Sequence, residues 1–286
     1  MRNSSVIQTQ RWLYKFYDAC VENAGENPYA LQRDLLCAPL AESFPAISPG
    51  ELQYELLNHG LFDPIKWVDI RNQVEIMVKQ RIWDIIIQEY RLLKGLWKGP
   101  KVSIYIFPLN NVMFDKQEPP PTKNGVAYKK GLFLFLSEGL EVEEIKALFA
   151  HEYNHICRLN YLGIESNKIP LKDSLIIEGF GEFAVKELYD EKWLAKWTAL
   201  YSYEDSIRIW NKYFIPQLDL LGTTNHQLFL YGKIGSPFPK WIGYSIGYQI
   251  VNSFQKKHGP FYNYELYQKS ADEIIAGSDF PATRKF

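Results

Sequence analysis

The sequence predicts an α+β protein, with helices first, then a small sheet, then more helices. Three observations carry that prediction. Apolar residues recur every three or four positions through much of the first hundred residues. The period then drops to two over residues 102–107, and a short apolar run follows at residues 131–136. From residue 141 the helical period returns and dominates the remainder.

The elements follow in order. Residues 11–21 place Trp12, Phe16 and Ala19 at helical spacing. Ser48, Pro49 and Glu51 supply a cap, a first-turn proline and an early acid, which together start a helix. Residues 68–97 read as one long helix through Ile70, Val74, Met77, Val78, Ile82, Ile85, Ile86 and Tyr90, stopped by Gly95 and the Gly99-Pro100 pair. Residues 102–107 alternate β-branched and aromatic side chains and predict a strand. Residues 117–125, with Pro119, Pro120 and Pro121, predict a loop, and residues 131–136 a second strand. Residues 141–162 form a helix on the apolar positions Ile145, Leu148, Phe149 and Ile156, with Glu143 and Glu144 in the first turn, where the helix dipole favours negative charge. After a loop at 163–171, Asp173 or Ser174 caps a helix running to about Tyr189. Residues 193–213 and 240–257 are further helical stretches, the last closed by Gly259-Pro260. The chain divides on this reading into a helical region, 1–99, and a second region, 100–286, without repeats.

Composition excludes several classes. With 286 residues, 47% hydrophobic and 23% charged, the chain can bury a sizeable core. Its 8 Trp, 19 Tyr and 17 Phe first serve packing. The net charge of −1, without a Lys/Arg stripe, argues against nucleic acid; Lys129-Lys130 and Lys256-Lys257 read as solvated surface. Cys20, Cys37 and Cys157 are an odd, irregular set and make no disulfide framework. The N-terminus lacks a signal-peptide apolar run, and no stretch is long enough to span a bilayer. A soluble, cytoplasmic protein is expected; nothing in the sequence speaks to its oligomeric state.

The chemistry centres on Ala150-His151-Glu152-Tyr153-Asn154-His155, an H-E-x-x-H pattern within a predicted helix. Residues four apart share a helix face, so His151 and His155 can present two imidazole nitrogens to one zinc. Glu152 sits about 100° further round. Its carboxylate can therefore serve as general base towards a zinc-activated water without occupying the metal. A catalytic zinc has three protein ligands and one open position. Glu178 is the candidate third ligand. It lies among Ile176, Ile177 and Phe180, and a buried carboxylate requires a partner. Gly179 and Gly181, each costing a helix about 1 kcal/mol, fit a close approach by another backbone or by the metal-binding helix. Glu182, one turn on, is the alternative ligand or an acceptor that orients a histidine. Cys157 is read as core.

Those residues carry a resemblance. His151 to His155 followed by Glu178-Gly179-x-x-Glu182 is similar to the gluzincin peptidases. Together with Thr9 to Leu13, Arg158 and Gly243-Tyr244-x-x-Gly247-Tyr248, the pattern resembles the bacterial family of predicted zinc-dependent proteases typified by YjaZ (DUF2268) over nearly the whole chain. The resemblance implies a zincin-like fold, one zinc per chain and a peptide or protein substrate. It also implies a Tyr or His that stabilises the oxyanion, for which Tyr244 is the choice and Tyr248 and His226 the alternatives. It further implies an edge strand that pairs with the extended substrate, a role assigned to residues 131–136. Arg158 is expected to hold a carboxylate of the site or of a peptide terminus, or to form a surface salt bridge.

The expected function is hydrolysis of peptide bonds, with Glu152 taking the proton from water and passing it to the leaving amine. Two rivals stand beside it. One is a zincin-fold regulatory or peptide-binding protein that keeps the metal but turns over little. The other is a structural metal site, which requires a fourth protein ligand.

Overall fold

The computed structural model describes residues 5–41, 43–109, 120–259, 264–280 and 283, apart from the side chain of residue 266. The chain forms two compact units. The first is Met1–Leu92 with Lys101–Glu152, and the second is Leu93–Pro100 with Tyr153–Phe286. The observed class is α+β; among the described residues it is mostly helical with one three-stranded sheet.

In the first unit, helices α1 (Gln10–Glu22), α2 (Pro28–Gln32) and α3 (Pro49–Asn58) precede α4 (Trp67–Lys79) and α5 (Ile82–Trp97), of which the first unit takes the part up to Leu92. The cap, first-turn proline and early acid predicted at Ser48, Pro49 and Glu51 start α3, and Ser48 and Glu51 go further and form a reciprocal capping box. The single helix expected over 68–97 is two helices. Arg81 adopts a left-handed φ of 58° between them. Gln80 and Arg81 are good helix formers, so nothing in composition marks the break. Gly95 lies inside α5 rather than ending it.

The strands are β1 (Ser103–Pro108), β2 (Lys123–Tyr128) and β3 (Gly131–Leu136), in the order β1-β3-β2. β1 runs parallel to β3, and β2 antiparallel to it across the exposed two-residue turn Lys129-Lys130. Of the predicted loop 117–125, residues 117–119 lie outside the described residues, and Lys123 to Gly125 belong to β2. This half-exposed strand alternates too weakly to be read from periodicity. In addition, β3 is the central strand. Its backbone groups are engaged by β1 on one side and β2 on the other, so it cannot add an extended peptide.

One face of the sheet carries Tyr105, Phe107, Phe133 and Phe135, which join Leu13, Phe16, Leu36, Leu40 and Phe44 in a core flanked by Val126 and Tyr128. The period-2 alternation puts Gly125 and Ala127 on the other face. There α6 (Val142–Leu162) begins, tied to β2 by the Lys123–Glu144 ion pair at 3.0 Å.

The second unit contains α7 (Leu171–Tyr189), α8 (Tyr203–Ile209), α9 (Thr223–Tyr231), α10 (Ile242–His258), α11 (Glu265–Gln268) and α12 (Ala271–Gly277). α7 starts after Pro170, so Asp173 and Ser174 lie inside the helix instead of capping it. The expected helix over 193–213 is broken into 3-10 turns, the short Ser202-capped α8 and a π turn. α7 and α10 cross at Gly179 and Gly247, where a Cβ on Gly179 would strike the Gly247 carbonyl. Close backbone approach is the reason Gly179 is tolerated mid-helix. The three cysteines are free and buried. Among the described residues no helix is long and apolar enough to cross a membrane.

Candidate metal centre

α6 is continuous through residue 152, so His151 and His155 keep the spacing of one helical turn whichever unit each is counted in. Its buried positions Ile145, Phe149, Tyr153 and Ile156 hold the helix against the protein interior. Glu178 projects from the middle of α7. His155 Nε2 and Glu178 Oε2 are 3.3 Å apart, and both side chains are largely shielded. His151, His155 and Glu178 each offer a ligand atom within 4.8 Å of the others.

This donor set fits a zinc ion. Donors about 2.0–2.1 Å from a tetrahedral zinc stand about 3.4 Å from one another. The imidazole–carboxylate separation already has that length. The donor chemistry of two imidazoles and one carboxylate is that of catalytic zinc, with one position open.

Glu152 is buried to 8% exposure and lies against β2. A Cβ added at Gly125 would land on the Glu152 side chain, so the strand backbone passes directly beside that carboxylate. Glu182 is not a member of the cluster. It is 4% exposed, and its Oε2 accepts the Ala195 N–H at 2.8 Å. The carboxylates at 178 and 182 thus have separate surroundings, which the sequence left open.

Behind the histidines, α6 is fastened within the second unit. Asn154 Nδ2 donates to the Tyr267 hydroxyl at 2.9 Å, and Tyr153 donates to the Pro100 carbonyl at 2.9 Å. Arg158 is fully buried. It donates to the carbonyls of Tyr267 and Lys269 and pairs with Asp173 at 3.3 Å. It is therefore neither a surface salt bridge nor a receptor for a peptide terminus; its partners join α6, α7 and the segment before α12. Sequence reasoning missed Tyr267 and Asp173 because neither stands in a spacing that marks a partner. Burial raises the Asp173 pKa, and Arg158 opposes the rise. Burial pushes the Cys157 thiol up to about 12, consistent with a core cysteine.

The three oxyanion candidates differ in their surroundings. Tyr244 donates to the Tyr231 hydroxyl at 3.0 Å and packs on Trp197 and Trp241. Burial, with Glu191, Glu182 and Glu187 nearby, raises Tyr248 to about 12. His226 is buried with both nitrogens engaged, Nδ1 by Ser174 Oγ and Nε2 by the Leu220 carbonyl, each at 2.8 Å.

A family model described as "Predicted Zn-dependent protease (DUF2268)" matches residues 82–276. The chain is 32% identical over 206 residues to "Uncharacterized protein YjaZ" of Bacillus subtilis (strain 168), covering 72% of this chain and 76% of that protein. It is 27% identical over 125 residues to "Uncharacterized protein YjfC" of the same organism, covering 40% of each chain. No solved structure matches the chain at a significant level.

Proposed function

Because the chain belongs to the DUF2268 family of predicted Zn-dependent proteases, we propose that it is a zinc metallopeptidase whose ligands are His151, His155 and Glu178 and whose general base is Glu152. The observation that carries this reading is the convergence of two imidazoles and one carboxylate with an acid between the histidines in sequence. A zinc ion held there would polarise the scissile carbonyl and lower the pKa of a water towards about 7. Glu152 takes a proton from that water and delivers it to the departing amine. Its burial beside Gly125 keeps the carboxylate in one place and limits competing solvent.

The extended substrate pairs with β2 rather than β3. β2 is the outer strand of the sheet on the side of Glu152, and among the described residues no strand pairs with its outer edge. Backbone pairing gives affinity with little demand on side-chain identity. Tyr244 is assigned as the donor to the developing oxyanion, its hydroxyl turning to the substrate from the Tyr231 hydroxyl that it otherwise meets. It lies one turn before Gly247, which touches Gly179 beside Glu178.

The test is a comparison of wild type with Glu152→Gln. The variant is expected to hold zinc as the wild type does and to lose peptide hydrolysis by about 10²–10⁴-fold. Full activity in a zinc-loaded Glu152→Gln chain would sink the mechanism.

A further inference from the structure

The strand that borders Glu152 also leads to a groove. Gly125 and Tyr128 are three residues apart on β2, about 10 Å along the strand and on opposite faces of the sheet. Gly125 faces Glu152. Tyr128 faces the aromatic core of the first unit and lines a groove of about 540 Å³. Phe44, Ile47, Leu52 and Tyr54 form its apolar walls, and Tyr54 is left 70% exposed. The lining also includes two carboxylates, Glu51 and Glu55, and, among the described residues, no basic side chain.

Both carboxylates are fixed. Glu51 accepts the backbone N–H and the hydroxyl of Ser48 at 2.9 and 2.7 Å, which holds it below the usual carboxylate range. Glu55 Oε1 accepts the Tyr128 hydroxyl at 3.2 Å and lies 3.2 Å from His59 Nε2. Burial, reinforced by Glu55, raises the Tyr128 pKa, so its hydroxyl remains a donor to that carboxylate. Lys129 and Lys130 follow in the turn but are exposed and do not line the groove.

We propose that this groove is a subsite for a lysine or arginine side chain of the peptide substrate, three residues from the bond that is cut. The proposal rests on the peptidase reading and on β2 as the strand with which the peptide pairs. Residues opposite one another in neighbouring strands project to the same face. A peptide whose scissile bond lies at Gly125, beside Glu152, therefore directs the side chain opposite Tyr128 into the groove and away from the metal. A lysine or arginine stem packs on the aromatic walls while its charge meets Glu55 and Glu51. A neutral apolar side chain gains the walls alone, and an acidic one is repelled.

The experiment gives a diverse peptide library to the zinc-loaded full chain and reads the cut sites by mass spectrometry. Lysine and arginine are expected to be enriched about fivefold at one position three residues from the cut, equivalent to about 1 kcal/mol for a partly exposed ion pair. Glu55→Gln is expected to reduce the enrichment below about twofold, and Glu55→Lys to turn the preference towards aspartate and glutamate. The readout is a ratio among cuts within one sample, so a slower variant does not imitate the effect. Cutting without a basic preference at that position, or with the preference unchanged in both variants, overturns the subsite and leaves the peptidase reading intact. Absence of any cutting defeats the peptidase reading, and binding then decides the groove. Fluorescent peptides that differ only by lysine or norleucine are titrated into the full chain. Equal affinities overturn the proposal, and a lysine preference that Glu55→Gln abolishes supports it.

Discussion

His155 Nε2 and Glu178 Oε2 lie 3.3 Å apart although they come from two different helices, α6 and α7. That separation equals the spacing expected between two donors of a tetrahedral zinc, the role proposed for both side chains. Removing the carboxylate removes a donor, while Glu182 is occupied by the Ala195 N–H. Elemental mass spectrometry of the purified chain is expected to find about one zinc in the wild type and in Glu182→Ala, and little in Glu178→Ala. Zinc retained by Glu178→Ala and lost by Glu182→Ala would reassign the third ligand.

Gly125 has no room for a side chain beside Glu152. Gly125→Ala is expected to displace the Glu152 carboxylate and lower kcat by about tenfold or more, since misplacement of a catalytic group by about 1 Å is costly. Zinc content is expected to stay at the wild-type level, because none of the three proposed ligands is touched. Unaltered turnover in this variant would show that β2 does not constrain Glu152.

Arg158 is a fully buried cation with Asp173 as its carboxylate partner. Arg158→Met leaves Asp173 buried and unpaired and frees the carbonyls of Tyr267 and Lys269. The expected loss is about 3–5 kcal/mol in denaturant unfolding. The double variant Arg158→Met/Asp173→Leu is expected to lose less than the single one, because no uncompensated charge remains. A single variant as stable as wild type would contradict the structural role given to Arg158.

His226 is expected to make stability pH-dependent on the acid side. Burial lowers its pKa from 6.5, with the Leu220 carbonyl opposing the shift. The unfolded chain then binds the proton more readily than the folded one. Stability from this group is present above pH 6.5 and is lost as the pH falls below that value. Thermal melts between neutral and mildly acidic pH are expected to show a smaller acid loss in His226→Gln than in wild type. Parallel pH profiles for the two proteins would remove His226 from the account.

The α+β class, the capped start of α3, β1, β3 and α6 were legible in the sequence because each rests on local chemistry: side-chain periodicity, a cap or a proline. The same holds for the His151–His155 pair, whose spacing is a property of any α-helix. Local chemistry also misled. Residues 68–97 keep their apolar stripe across Arg81, so the break between α4 and α5 left no mark. β2, with Gly125 at its centre, has neither the alternation nor the apolar content of its neighbours.

By itself the sequence determined which residue types stand one helical turn apart, and so which pair could hold a metal. Only the tertiary structure decided that Glu178 rather than Glu182 joins that pair, that β2 and not β3 lies at the edge beside Glu152, and that Arg158 is buried against Asp173. Each of those outcomes depends on how separate segments meet, and helix crossing and strand order are set by packing between residues far apart in the chain.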